Sequence, residues 1–395
     1  MDYESLQIMD LSSLKAVLKD LRGEIIPSRF EKAQQPEPNC IQIGLRTLNA
    51  LIWIELSWNA DAPRLVQITP PLKTGTESTL AKQIQYGLQG LSLIELEQKG
   101  FERVVKFKLA KRPGDEAQKY LILEIMGKRS NLFLLDKNQN VITLGKQIKE
   151  NQSRLRPIST GDKYSPPPTM PGVEPNEDES YIDWKKRLKL IPITLKKALQ
   201  ENYQGISPSL ALQLVNDQKI LANKLINSPV NEILEEDWSF IYKRWLIWIQ
   251  SLKQTKNHIS FNGPTAFNVW LSKESTDNLN SKTSLDLGKY YKSELNKRKA
   301  RQINNQMNKD INKLIKSEEN LLQSQKYLLN KTDSSKSIKD EADKILCEQL
   351  PNKESIQRAQ SLYKKAQKLR RSIPIVKERI IYHKERIKII KENKI

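Results

Sequence analysis

The chain has 395 residues, with 66 Lys+Arg against 46 Asp+Glu and a formal net charge of +20 at neutral pH. That length exceeds the usual single core, so two or three domains are expected, and the charge makes a polyanion the natural partner. Cys40 and Cys347 lie far apart, as do His258 and His383, which matches neither a zinc site nor a disulfide framework.

The N-terminal stretch MDYESLQIMDLSSLKAVLKDL carries acids where an export signal needs lysines, and nowhere do about 18 apolar residues run together. A cytoplasmic, soluble protein without a membrane partner is the expectation. Residues 1–164 read as an α+β domain, a mostly antiparallel sheet with helices. SLKAVLKDLRG places Leu14, Val17, Leu18 and Leu21 on one helical face and predicts a stop at Gly23. Strands are predicted at CIQIGLR, LIWIELSW, RLVQIT, RVVKFKLA, YLILEIM and NLFLLD, with turn chemistry at Lys111-Arg-Pro-Gly-Asp and Lys137-Asn-Gln-Asn.

One strand carries a misplaced residue. In KGFERVVKFKL, alternation puts Phe101, Arg103, Val105, Phe107 and Leu109 on one face and Glu102, Val104, Lys106 and Lys108 on the other. A guanidinium is never discharged, so Arg103 must reach out of the core, pair with an acid such as Glu102, or await an anionic ligand.

SPPPTMPGVEPNEDES, within 165–180, reads as a Pro-rich linker. Residues 181–280 read as a helical, helix-hairpin-helix-like domain. There GISPSLALQLV offers a turn at Gly205, an N-cap at Ser207 and Pro208 in the first helical turn. Such a terminus either holds a phosphate or is only a capped helix. Trp238, Ile241, Trp245, Trp248 and Leu252 recur at spacings of three and four, a stripe read as core in preference to a base-stacking platform.

From Ser281 to Ile395 there are 29 Lys+Arg and 14 Asp+Glu, so most of the positive excess lies in this final segment. Met307, Leu314, Leu321 and Leu328 recur every seven residues, with Ile315, Leu322 and Leu329 alongside, which predicts a coiled-coil seam. A break at KTDSSKS or CEQLPNKES would let the chain reverse, so that Leu362, Ala366, Leu369 and Ile373 meet the first arm. Residues 281–395 are thus expected to form a basic antiparallel coiled-coil hairpin, with arms of about 40 residues reaching ~60 Å. The alternative is a solvated basic helix with no partner. No phosphate-loop, dinucleotide or nucleophile-elbow motif is present, so an enzyme of the standard sort is not expected.

GLSLIELEQKGFERVVKF, LILEIMGKRSNLFLLD, RLRPISTGDKYSPPP, YQGISPSLALQL, SLDLGKYYKSELNKRKARQ and ESIQRAQSLYKKAQKLRRS occur in this order. Together they resemble the ribosome quality-control family related to bacterial RqcH, the NFACT or fibronectin-binding protein A-like proteins. The resemblance implies binding to the large ribosomal subunit carrying peptidyl-tRNA, and recruitment of tRNA, alanyl-tRNA in bacteria, for template-free tailing of the stalled chain. It implies no cofactor.

The family's Asp-Arg pair for tRNA falls on Glu102 and Arg103. Its Met-Gly-Arg-His-Ser-Asn block falls on residues 126–131, with Lys128 and Arg129 as further tRNA contacts. Lys364, Lys365, Lys368, Arg370 and Arg371 on the coil are expected to face the ribosome, and Arg156, Gly161, Tyr164, Pro166 and Pro167 to be structural. Family members continue into a C-terminal RNA-associated domain; the expectation is either that this chain is a fragment, or that it lacks the domain and does not complete tailing, with a separate chain supplying the domain as a candidate partner. Two other functions compete: a surface fibronectin-binding adhesin, and a glycosylase-like DNA-binding protein lacking catalytic residues.

Overall fold

The computed structural model describes residues 6–72, 78–148, 156–254, 259–271, 282–332, 334–347 and 352–393. His258 and the initiator segment Met1-Asp2-Tyr3 lie outside these. The chain divides into two compact units, Met1–Glu294 and Leu295–Ile395.

In the first unit, helix α1 (Leu11–Ile25) buries Leu14, Val17, Leu18 and Leu21 together, as their spacing predicts. It does not stop at Gly23. Gly23 lies inside the helix, whose end falls at Ile25, one residue before the Ile26-Pro27 pair; proline disfavours helical backbone at the residue before it.

Nine strands follow: β1 (Ser28–Glu37), β2 (Cys40–Arg46), β3 (Leu51–Ser57), β4 (Arg64–Ile68), β5 (Ser92–Glu97), β6 (Val104–Ala110), β7 (Lys119–Glu124), β8 (Asn131–Leu135) and β9 (Val141–Leu144), with α2 (Thr79–Leu88) between β4 and β5. They make one sheet in the order β4-β3-β2-β1-β5-β6-β7-β8-β9, and every neighbouring pair is antiparallel. Six of these strands coincide with the alternating stretches. The other three lie outside the predicted stretches: β1 is mostly polar with a proline near its end, β9 is only four residues long, and β5 is the short SLIELE.

Helices α3 (Tyr181–Leu188), α4 (Leu195–Asn202), α5 (Pro208–Val215), α6 (Lys219–Asn227) and α7 (Glu235–Lys253) build the rest of this unit. Their core holds Trp184, Trp238, Trp245 and Trp248, all at 0% exposure, with Tyr203. The tryptophan stripe is therefore core, and no base can stack on it. Residues 165–180 join two parts of one compact unit. Trp248 Nε1 donates to Ser12 Oγ at 2.8 Å, tying α7 to α1.

The second unit is helical. α8 (Thr283–Thr332), whose residues up to Glu294 belong to the first unit, is followed by α9 (Ser335–Leu346) and α10 (Lys353–Glu392). α8 and α9 form one arm and α10 returns antiparallel to it. Along α8, Glu318 meets His383 at 2.7 Å and Arg386 at 3.1 Å; along α9, Glu341 meets Arg358 at 3.7 Å and Asp343 accepts from the Tyr363 hydroxyl. The reversal thus falls between α9 and α10, at the CEQLPNKES stretch, whose residues 348–351 are outside the described ones. The KTDSSKS break interrupts the first arm without reversing it.

The seam departs from the simple heptad. Met307, Leu314, Leu321 and Leu328 are exposed, Leu321 at 44%. The inward row is the one beside them: Ile311, Ile315, Glu318, Leu322, Gln325, Leu329 and Thr332 are half-buried or buried. On α10, Ala359, Leu362, Ala366, Leu369, Ile373, Val376, Ile380 and Ile387 are half-buried or buried; the ion pairs of Glu318 and Glu319 set the later part of this row against α8, and the contacts of Glu341 and Asp343 set its start against α9. A seven-residue repeat fixes the period but not the phase. Here the inward row alternates three- and four-residue steps, and it tolerates polar residues that the leucine repeat excludes.

Candidate nucleic-acid interface

Asp10 organises the site. As N-cap of α1, its Oδ1 accepts from the Ser13 N–H at 2.9 Å and the Ser13 hydroxyl at 2.7 Å. Its Oδ2 accepts from Ser207 Oγ at 2.8 Å, and Ser207 in turn caps α5 by accepting from the Leu210 N–H at 2.9 Å. One carboxylate therefore joins two helix N-termini, favourable because each end carries free N–H groups and partial positive charge. Gly205, at φ +79°, makes the approach possible: a Cβ there would stand 2.8 Å from Leu11 and 3.0 Å from Phe101. The glycine turn before α5 is accordingly a capped helix packed against α1.

Arg103 stands immediately before β6, its carbonyl accepting from the Ile125 N–H at 2.9 Å. It lies outside the strand whose apolar face holds Val105, Phe107 and Leu109. Its side chain lines a cavity of about 490 Å³ shared with Asp10, Ser207, Lys219, Asn223 and Thr265. Burial pulls the guanidinium below its ordinary pKa, opposed by the charge of Asp10 and then of Glu102; arginine stays charged all the same. Among the described residues the Arg103 guanidinium has no hydrogen bond and no ion pair.

Glu102 does not pair with Arg103. Its Oε1 accepts from the Met170 N–H at 3.0 Å, holding the Pro-rich segment, and its buried Oε2 has no hydrogen bond among the described residues. Its effect on Arg103 is electrostatic. Sequence reasoning missed Asp10 and Lys219 as neighbours of Arg103, because both are remote in the chain and nothing local marks them.

Lys128 and Arg129 lie on a 3-10 turn, Gly127–Arg129, between β7 and β8. Both are exposed and line a second cavity of about 330 Å³. Beside it Arg156 donates to both oxygens of the fully buried Glu124, at 2.9 and 2.7 Å, and Tyr164 donates to Glu124 at 2.8 Å. Burial, with the Glu124 charge, raises the Tyr164 pKa far above its ordinary value. In the second unit Lys364, Lys365, Lys368, Arg370 and Arg371 are all exposed on α10, off the row that meets the first arm.

Residues 10–350 match the family model described as NFACT N-terminal and middle domains. The chain is 24% identical over 394 residues to the Rqc2 homolog RqcH of Bacillus subtilis (strain 168), covering 93% of this chain and 68% of that one. It is 30% identical over 208 residues to the protein of the same name from Streptococcus suis (strain 05ZYH33), covering 51% of this chain and 37% of that one. Among solved structures, the N-terminal part of the fibronectin/fibrinogen-binding protein from Streptococcus suis superposes with a TM-score of 0.53 at 23% identity, covering 72% of this chain and 99% of that one. The fibrinogen binding protein from Staphylococcus aureus superposes with a TM-score of 0.50 at 21% identity, covering 71% and 97%. At these identities the structural likeness is one of fold.

Proposed function

The chain belongs to the family of NFACT N-terminal and middle domains, and on that premise we propose that it is a non-enzymatic ribosome quality-control factor that engages RNA through both of its units. In this reading the first unit holds a tRNA, alanyl-tRNA if it follows the bacterial pattern. The hairpin holds the large ribosomal subunit that carries the stalled peptidyl-tRNA, and the work is done in the cytoplasm. The observation that carries the proposal is Arg103, a half-buried guanidinium without a partner among the described residues, lining a cavity of about 490 Å³. A buried charge left unpaired is costly, and the fork of donors fits a phosphate or a base edge that would complete it. Glu102, fastened to Met170, holds its negative charge near the fork without blocking it. Lys128 and Arg129 supply further tRNA contacts.

The test is tRNA binding and large-subunit co-sedimentation measured on the same Arg103→Ala protein, with its melting temperature. Loss of charge-assisted hydrogen bonds worth about 1.5–3 kcal/mol predicts tRNA binding weaker by roughly tenfold or more, with the subunit still bound and the melt unchanged. Lysine should rescue poorly, being a point charge where a planar fork is needed. Unchanged tRNA affinity would remove Arg103 from the interface. Alanine at Lys364, Lys365, Lys368, Arg370 and Arg371 together should release the subunit instead, and the wild-type dependence on salt should be steep, log K falling by about 0.7–0.9 per phosphate neutralised.

A further inference from the structure

The hairpin carries more apolar side chain than its own seam uses. Leu314, Leu321 and Leu328 on α8 and Ile375, Tyr382 and Ile389 on α10 are 44–57% exposed, and each row repeats every seven residues. At 3.6 residues per turn the leucines stand about 75° from the centre of the seam, and the second row about 130° from its own side of it.

The ion pairs put both rows on one flank. Glu318 sits in the seam, with Leu314 four residues before it and Leu321 three after. It holds Arg386 at 3.1 Å. Arg386 in turn lies over the Tyr382 ring, 5.9 Å from its centroid, and donates to the Tyr382 hydroxyl at 2.8 Å. Glu319, one residue round the helix, pairs with Lys391 at 3.1 Å on the other flank. The contact of Glu318 with His383 also fixes the level of the two arms. Counting in opposite directions from it sets Leu314 beside Ile389, Leu321 beside Tyr382 and Leu328 beside Ile375, so two rows from different helices merge into one apolar strip.

The charges are sorted across the hairpin as well. Between these levels the charged residues on the flank of the strip are Arg379 and Arg386, and Arg386 is engaged by Glu318. The opposite flank carries Lys316, Lys377, Lys384 and Lys391 around Glu319. The strip thus has little net charge on a strongly basic hairpin, and little of the attraction that a phosphate backbone needs. Its borders differ in sign: exposed Glu378, Glu385 and Glu392 run along the α10 border, and exposed Lys313, Asn320 and Tyr327 along the α8 border.

We infer that the strip is the contact for a second copy of this chain, the two hairpins stacking flank to flank about a twofold axis parallel to their length. A twofold contact needs a self-complementary patch, and rows at an even seven-residue spacing match themselves. With the axis along the hairpin, α8 of one copy lies over α10 of the other. Lys313, Asn320 and Tyr327 then meet the three glutamates, and both basic flanks point outward. An axis across the hairpin would set the glutamates against one another, and an acidic helix of another protein would meet the same repulsion. An apolar strip left exposed is the mark of such a contact, and the inference is independent of the RNA-binding reading.

The experiment measures mass by sedimentation equilibrium on the nuclease-treated full chain over a range of concentrations. The wild type should pass from monomer to dimer, and should do so equally at about 1 M salt, where charges are screened beyond ~3 Å. Leu321→Asp and Ile375→Asp should each weaken dimerisation by about tenfold or more. Neither should change the helix content of the single hairpin, since both side chains are exposed in one copy. Lys316→Glu, on the opposite flank, should change dimerisation by less than about twofold. Leu321→Cys mixed with Tyr382→Cys, each with the exposed Cys347 replaced by serine, should cross-link to each other in preference to themselves. A chain that stays monomeric throughout overturns the proposal, as does a dimer that survives both aspartate substitutions. A dimer present only before nuclease treatment, or lost at high salt, is bridged by a polyanion and overturns it too. Preferential linkage of Leu321→Cys to itself overturns the lengthwise axis.

Discussion

The two units spend their charges in opposite ways. In the first, the buried ions are consumed internally: Arg64 with Glu55 at 2.6 Å, Arg156 with Glu124 at 2.7 Å, Arg244 with Asp217 at 2.9 Å. Arg103 has no ion pair among the described residues, and it lines a cavity. In the second, the core is a narrow row of alanine, valine, isoleucine and leucine interrupted by Glu318, Gln325 and Thr332, and Lys364, Lys365, Lys368, Arg370 and Arg371 stand outside it. A unit with a deep aromatic core can hold one charge in a costly place and aim it. A two-stranded hairpin buries too little for that, and offers many charges at low cost each. The difference suits the first unit to a shaped contact and the second to a long electrostatic one.

The sharpest break in this comparison is Trp248→Ala. It empties a fully buried indole and cuts the bond to Ser12, so the first unit should lose about 3–5 kcal/mol, read by denaturant unfolding. Hydrogen exchange along α10 should be little affected.

A middle-sized effect separates two adjacent leucines. Leu322→Asp places a carboxylate in the half-buried seam and should loosen the hairpin by about 1–3 kcal/mol, seen as faster amide exchange in α8 and α10. Leu321→Asp, on the exposed side, should stay within about 0.5 kcal/mol. Equal effects from the pair would return the seam to the simple leucine repeat.

The smallest effect concerns Lys19, whose amine donates to the Ser251 carbonyl at 2.9 Å. Its pKa is pushed down to about 8, by burial first and by the Lys15 charge next. An unfolded lysine titrates near 10.4, so between about pH 8 and pH 10.4 the unfolded chain binds the proton that the folded one has released, and stability rises with pH. Below pH 8 both forms are charged and the burial penalty is fully present. Unfolding measured at pH 8 and pH 10 should show this rise, and Lys19→Met should flatten it relative to the wild type; equal slopes in the two proteins would remove Lys19 as the cause.

What the sequence determined by itself was whatever depends on local periodicity and composition. Alternation marked strands such as Cys40–Arg46, the three- and four-residue spacing marked the tryptophan face of α7, and the charge count marked the basic hairpin. The family blocks marked Glu102 and Arg103 as a pair. Tertiary structure decided the rest, because it depends on partners distant in the chain. Glu102 turns to Met170, sixty-eight residues away, and leaves Arg103 without an ion pair among the described residues. Asp10 meets Ser207 across 197 positions and so builds the cavity that Arg103 lines. The leucine repeat of α8 supplied the period of the hairpin, but only the returning helix chose the row that faces inward, since a stripe's burial depends on what packs against it.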